Sequence, residues 1–420
     1  MSSFAAVGKP GMMRAAAIGL TVALTFCYLL MEGVNGRGAS GGAGFVLVVL
    51  LAVWGFEAWS AFRNRSSRSS DAVRKSGPKR DFDWGMHYFR GFAIVCIVLM
   101  HIQSKLGYTP ITRAFFKAST VYFLFISGYL CQYLHSRHPS APLVYYRKKL
   151  ENVISPYVIW TLLTVGAIWL IGESRTGVIP MGDLNPRGIV SALLTGCAQR
   201  PYWYIPFVTF LFAVSPLILR LTDRRLVWLT FFSFVPVLIL PYRGGVSFDL
   251  STGAAYCKFS YFLSSYLIGF VYARKKDLLD RYLADYAIPA TVFALLMGVL
   301  ILNGDFFAKV RLPNDGLILF QKILFVIPVL VVAGWVRNRK IALLDMLAKY
   351  SFTLFFLHYF FIGDCLRIQT ALHQQGWCCG GASAIVVDYG LIVLFFAFLL
   401  GLSVLLKTAL GRNSRSFIGS

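Results

Sequence analysis

Asp83, His87, Arg90 and His101 recur at near-helical spacing in one apolar stretch of this chain, DFDWGMHYFRGFAIVCIVLMHIQSKLG (81–107). Charged groups are costly in hydrocarbon, so inside a membrane span they mark a site by default. An imidazole takes or gives a proton near neutral pH. A guanidinium keeps its charge and offers paired donors to phosphate or carboxylate. The chemistry on offer is proton transfer beside a group that holds an anion. A structural reading stands next to it, in which Asp83 and Arg90 anchor a helix end in headgroups and His101 is a buried, hydrogen-bonded histidine.

The stretch must be a helix for these residues to cooperate. At about 100° per residue, Arg90 and His101 lie about 20° apart in projection and about 16 Å apart along the axis. Asp83 and His87 project onto the same face, giving one polar stripe. The rest of the chain supplies a membrane setting. Its 420 residues are 57% hydrophobic and only 14% charged, with a mean hydropathy of +0.65. A soluble domain carries about 25% charge. Long apolar runs recur to the end, so the fold class is all-α, a polytopic helical membrane protein. The alternating short strands of an outer-membrane barrel are absent.

The net charge of +23 comes from Lys and Arg gathered in short loops between apolar runs, which fits topology and anionic membrane lipids. No zinc-finger, helix-turn-helix or RNA-binding signature accompanies it, so no nucleic-acid partner is expected. The eight cysteines lack metal-ligand spacing, and no metal is expected.

Twelve spans fit the apolar pattern, at roughly 12–31, 43–59, 84–103, 116–134, 153–171, 203–220, 226–240, 257–273, 286–304, 318–336, 348–363 and 383–406. Alternate loops carry the basic excess, among them Arg147-Lys148-Lys149, Arg220 with Arg224 and Arg225, and Arg274-Lys275-Lys276. By the positive-inside rule both termini are cytoplasmic. Residues 1–60 read as a two-helix preface, 61–82 as a basic cytoplasmic linker, 83–407 as a ten-helix core and 408–420 as a cytoplasmic tail. The exterior segment 172–202 reads either as a solvated connector or as a cover for a polar acceptor. Lys258 and Lys322 fall near span ends, where long stems snorkel toward water.

Several blocks, in order, carry a resemblance. Arg90-Gly91 is followed after ten residues by His101. Then come VYFLFISGYLCQYL from Val121, YYRKKLENVISPYVIW from Tyr145, PYWYIPFVTFLFAVSPLIL from Pro201 and KYSFTLFFLHYFF from Lys349. Together they resemble the membrane acyltransferase-3 family, integral-membrane O-acyltransferases that modify sugars and envelope polymers. Many relatives carry Asp three residues before the motif Arg. Here that place is taken by His87, with Asp83 one turn earlier.

The resemblance implies transfer of an acyl group, most often acetyl, from acetyl-CoA or another acyl-CoA to a hydroxyl of a glycan or lipid-linked sugar at a bacterial inner membrane. It makes His101 the expected general base or a transient acyl carrier, with Arg90 as its catalytic companion. Donor binding is expected of Arg90, His87, Arg147, Lys148, Ser127 and Tyr129. Arg147 and Lys148 are equally explained by topology, and Gly128 between Ser127 and Tyr129 by helix packing. Acceptor binding is expected of Trp203, Tyr204 and His358. Trp203 and Tyr204 also read as interfacial anchors, and His358 as a buried residue paired to Ser351 or to another helix. Separate glycan-assembly proteins are possible partners. A transporter or flippase of a lipid-linked or anionic substrate is the rival reading, although no inverted repeat is visible.

Overall fold

The computed structural model describes residues 82–106, 114–137, 142–171, 185–239, 254–302, 314–336, 339, 341–375, 382–411 and 414–419. The expected preface, nearly all of the linker and the first two spans lie outside the described residues. The chain divides into two units, Met1–Phe82 with Leu372–Gly390, and Asp83–Ala371 with Leu391–Ser420. In the first, the described residues include His373, whose Nε2 meets Asp388 Oδ1 at 3.0 Å. The second holds the site.

Every described element of that second unit is helical: α1 Trp84–Leu106, α2 Thr120–Arg137, α3 Pro142–Lys149, α4 Ser155–Ile171, α5 Pro186–Thr195, α6 Tyr204–Leu219, α7 Asp223–Phe232, α8 Val235–Ile239, α9 Ala254–Arg274, α10 Lys276–Leu302, α11 Asn314–Val336, α12 Ala342–Lys349, α13 Ser351–Gln374, α14 Ala382–Leu410 and α15 Ser414–Ile418, with α13 and α14 running on into the first unit. Seven helices among the described residues are long and apolar enough to cross a membrane. The 16-residue α6 is apolar but shorter. The protein is an all-α, polytopic membrane protein.

Several boundaries differ from the sequence reading, for local reasons. The span expected at 226–240 is two short helices, because the chain turns at Ser233–Phe234 and Pro236 follows. Between α3 and α4, Leu150–Ile154 winds as a π-helical turn in which Ser155 N–H reaches back to the Leu150 carbonyl. Such a turn widens the helix by one residue. The segment read from sequence as exterior, 172–202, contains α5, capped by the Asn185 side chain at its start and closed by Gly196 in the left-handed region. A cap of each kind is what lets so short a helix persist.

Helices α2 and α9 cross at two glycines. A Cβ at Gly128 would lie 2.0 Å from the Tyr266 carbonyl oxygen, and one at Gly269 would lie 2.1 Å from that of Phe125. Only hydrogen at both positions permits this approach. Tyr266, Phe270, Phe125 and Tyr129 fill in around the crossing, all buried. At one end of the unit, Arg274 ties three segments together. Its guanidinium donates to Gln132 Oε1 and to the carbonyls of Leu219 and Leu221 at 2.9, 3.0 and 2.6 Å. It thereby caps the exposed carbonyls at the end of α6. Asp223, Lys275 and Lys276 gather at this basic end. Lys322 and Lys258, expected to snorkel, are instead fully buried. Lys322 Nζ donates to the Ala114 carbonyl at 2.8 Å and to Gln321 Oε1 at 2.7 Å, and these bonds hold it inside the bundle.

Candidate active site

The first turn of α1 begins with Asp83, which lies just outside the helix and caps it: Oδ1 accepts the Met86 N–H at 3.0 Å. Oδ2 accepts the Tyr129 hydroxyl, and Lys276 Nζ stands 3.9 Å away. Asp83 therefore leaves the stripe expected of it. A cap residue is not in helical register, so the 100° projection does not apply to it. Among the described residues no Asp83–Arg90 ion pair forms.

His87, Arg90 and His101 do share a face, and that face meets the α12–α13 segment. His87 Nε2 lies 2.9 Å from Asp345 Oδ1. Arg90 Nη2 donates to the Ala348 carbonyl at 2.7 Å, and its buried Nε has no hydrogen-bond partner among the described residues. A guanidinium at the last turn of α12 complements the negative end of that helix. Gly91 makes room for this seat, since a Cβ there would fall 2.9 Å from the Leu344 carbonyl oxygen. Eleven residues on, the His101 ring lies 5.2 Å from that of His358, centroid to centroid, and edge-on to Tyr359 at 5.5 Å. The contacts 87 to 345, 90 to 348 and 101 to 358 rise together, so α1 and α12–α13 run parallel.

A cavity of about 140 Å³ opens beside His101. Met100, Lys117, Trp203, Tyr204, Tyr261 and Phe355 are among its lining residues. Trp203 stacks on Phe262 at 5.5 Å, and the buried Lys258 ammonium lies 4.8 Å from the Trp203 ring centre, a cation–π distance. Lys117 pairs with Asp315 at 3.0 Å. The turn that carries Lys117 is strained, with Ala118 at φ 62°, a conformation that costs roughly 1–2 kcal/mol for a residue with a Cβ. Lys322 on the Ala114 carbonyl and the Ser119 hydroxyl on the Phe116 carbonyl at 2.7 Å hold it in place.

Of the residues singled out from sequence, His101, Trp203 and Tyr204 meet at this cavity. Ser127 reaches it indirectly, with Oγ 3.3 Å from the Tyr204 hydroxyl. Tyr129, two residues on and so on the other side of α2, points to Asp83 and stacks on Tyr133. His358 is fully buried and is not on the cavity wall. Its Nδ1 lies 2.9 Å from the carbonyl of Leu354 in its own helix, and among the described residues no hydrogen bond to Ser351 forms. Arg147 and Lys148 are exposed, and Arg147 pairs with Glu151 at 2.8 Å. The third residue of that run, Lys149, turns inward with its ammonium 4.0 Å from the Phe212 ring centre.

Lys117, Tyr261 and Phe355 were not anticipated. Lys117 sits beside a span start, where a lysine reads as topology. For Tyr261 and Phe355 an aromatic among aromatics gives no local signal. Among the described residues no three His, Cys, Asp or Glu side chains are grouped as metal ligands.

The site thus has a basic end with a partly satisfied arginine, and a far end where a histidine borders an aromatic cavity. A family model described as an acyltransferase domain matches residues 83–411, beginning at the cap of α1 and ending just after α14. No curated protein and no solved structure matches the chain. The family match spans well over half of the sequence and includes every residue of the site, and on it the chain belongs to the membrane acyltransferase-3 family.

Proposed function

We propose that this protein moves an acyl group, acetyl in the first instance, from a coenzyme A thioester at the basic end to a hydroxyl of an envelope or secreted glycan at the cavity. The observation that carries this reading is that His101, on the same helix face as Arg90, borders a cavity walled by Trp203 and Tyr204. Aromatic faces of this kind suit a sugar ring, and a cavity of about 140 Å³ takes the reacting edge of the acceptor, not the whole chain.

The basic end suits a polyanionic donor. Among the described residues Arg90 Nε has no hydrogen-bond partner, a need that an anionic oxygen would satisfy, and Arg147 and Lys148 are exposed for phosphates. When bound, the donor supplies an activated acyl carbonyl. His101 takes the proton of the acceptor hydroxyl as that oxygen bonds to the acyl carbon, then gives the proton to sulfur as the carbon–sulfur bond breaks. In a two-step version His101 holds the acyl group between the two transfers. Tyr204, oriented by Ser127, and Lys117 are placed to hold the acceptor. In this reading the basic end faces the bacterial cytoplasm, the termini lie on that side, and anionic lipids surround it. The acceptor arrives from separate assembly proteins.

Transfer from labelled acetyl-CoA by purified protein in liposomes, supplied with acceptor-rich envelope extract, tests the reading. His101→Ala at matched folded protein is expected to lose about 100- to 10,000-fold, the range general-base loss produces. Equal rates in the two proteins would remove His101 from the chemistry. No transfer by either would move the function toward transport.

A further inference from the structure

His358 is fully enclosed in the bundle. Its Nδ1 lies 2.9 Å from the Leu354 carbonyl. A carbonyl only accepts, so Nδ1 carries the hydrogen and Nε2 is left as a bare acceptor. That Nε2 is buried and, among the described residues, has no hydrogen-bond partner. Leaving a buried acceptor unmet costs on the order of 1–3 kcal/mol, and such groups call for a functional explanation. The nearest imidazole is His101, 5.2 Å away between ring centres, close to the separation at which two imidazoles share one N–H···N bond. Phe355 and Tyr359 flank His358 at 6.2 Å each.

We infer that His358 is a positioning residue for His101: its Nε2 receives the His101 N–H when His101 takes up a proton, which turns the other His101 nitrogen toward the cavity. This inference builds on the proposed acyl transfer but does not need it, since the pairing is a property of the two rings. The tautomer argument is the one that governs other histidine bases, in which a buried acceptor fixes one nitrogen so that the second meets the substrate. Here the acceptor is neutral. It orients the imidazole without adding a buried negative charge to a span. Among the described residues, the charged and titratable groups around His101 include Lys117, Tyr204 and Tyr261 on the cavity wall and Tyr359 edge-on to the ring, with Arg200 near Tyr359. Lys117 is engaged with Asp315 and Tyr261 donates to the Asp315 carbonyl.

Two substitutions separate orientation from packing. His358→Phe keeps a ring and removes the acceptor, whereas His358→Gln places an amide oxygen near the old Nε2. The expected result is a kcat about tenfold or more below the parent for His358→Phe, with the donor KM unchanged and most of the loss recovered in His358→Gln. In parallel, ¹⁵N NMR of the protein in micelles reads the His101 ring directly. In acid, the parent is expected to show a hydrogen-bonded His101 N–H that is lost in His358→Phe. A His358→Phe kcat equal to the parent's, equal losses in the Phe and Gln variants, or identical His101 signals in parent and variant would each overturn the inference. If the NMR difference appears while no protein transfers acetyl, the pairing stands and the acyl-transfer reading falls.

Discussion

Replacing Gly128 by alanine is the most demanding test of how the site is held. The added methyl would lie 2.0 Å from the Tyr266 carbonyl oxygen and 2.9 Å from its carbon, where ordinary contacts begin at 3.4 Å. Both partners are backbone, so no rotamer change relieves the clash, and α2 and α9 must separate. Overpacking of this kind costs about 1–3 kcal/mol, and a rigid obstacle belongs at the upper end. At 1.4 kcal/mol per factor of ten, the folded fraction relative to the unfolded falls by about a hundredfold. The neighbours of Gly128 reach the candidate site, since Ser127 meets Tyr204 and Tyr129 meets Asp83. The same displacement therefore lowers transfer per folded molecule. Gly166 in α4 is the control, with nothing within 4 Å of its would-be Cβ. There alanine is expected to add up to about 1 kcal/mol through helix propensity. Thermal unfolding in detergent, followed by transfer assays on the folded fraction, reads both effects. If Gly128→Ala melts at or above Gly166→Ala, the close crossing is not what joins these helices.

Arg90→Lys removes the Nη2 donor from the Ala348 carbonyl and with it the guanidinium fork. It is expected to weaken donor binding about tenfold or more, seen as a raised KM, because a point charge does not reproduce a paired contact. Asp345→Asn, at the half-exposed partner of His87, is expected to cost less than about 1 kcal/mol but to speed amide exchange across 342–349. Lys275 and Arg274 hold the Asp223 carboxyl below its ordinary value of 3.8, chiefly through the Lys275 hydrogen bond. A lowered carboxylate stabilises the fold above that value and loses its contribution as pH falls through the folded one. The acid limb of the melting curve should therefore flatten in Asp223→Asn and in high salt. Parent and variant curves that coincide at every pH would rule this out.

The hallmark pair was legible in the sequence because helical phase is arithmetic. Arg90 and His101 do share a face, and the aromatic pair Trp203–Tyr204 does reach the His101 cavity. Asp83 was misplaced by the same arithmetic, which holds only inside the helix. Lys258 and Lys322 were assigned to water because a lysine near a span end has that option. What decides otherwise is a carbonyl at Ala114 and a ring at Trp203, neither visible from local sequence. The unmatched Nε2 of His358 was also beyond reach, since a lone histidine in a helix does not announce which nitrogen its own backbone will occupy. The broken helix at 223–239 was concealed by an apolar run that hydropathy reads as continuous.

The parallel seating of α12–α13 on α1 also dictates an order of assembly. His87 and Asp345, like Arg90 and Ala348, are 258 positions apart. Long-range contacts of this kind close only after the intervening chain is in place. During synthesis the polar face of α1 is expected to precede its partner, with its arginine unseated until the segment from Ile341 onward emerges. A nascent chain that stops at Val336 holds the hallmark motif yet has no counterpart for either end of it. The candidate site is thus expected to be among the last features of the protein to form. Supplying residues 339–420 as a separate fragment, in a cell that already makes 1–338, is a direct way to watch it form.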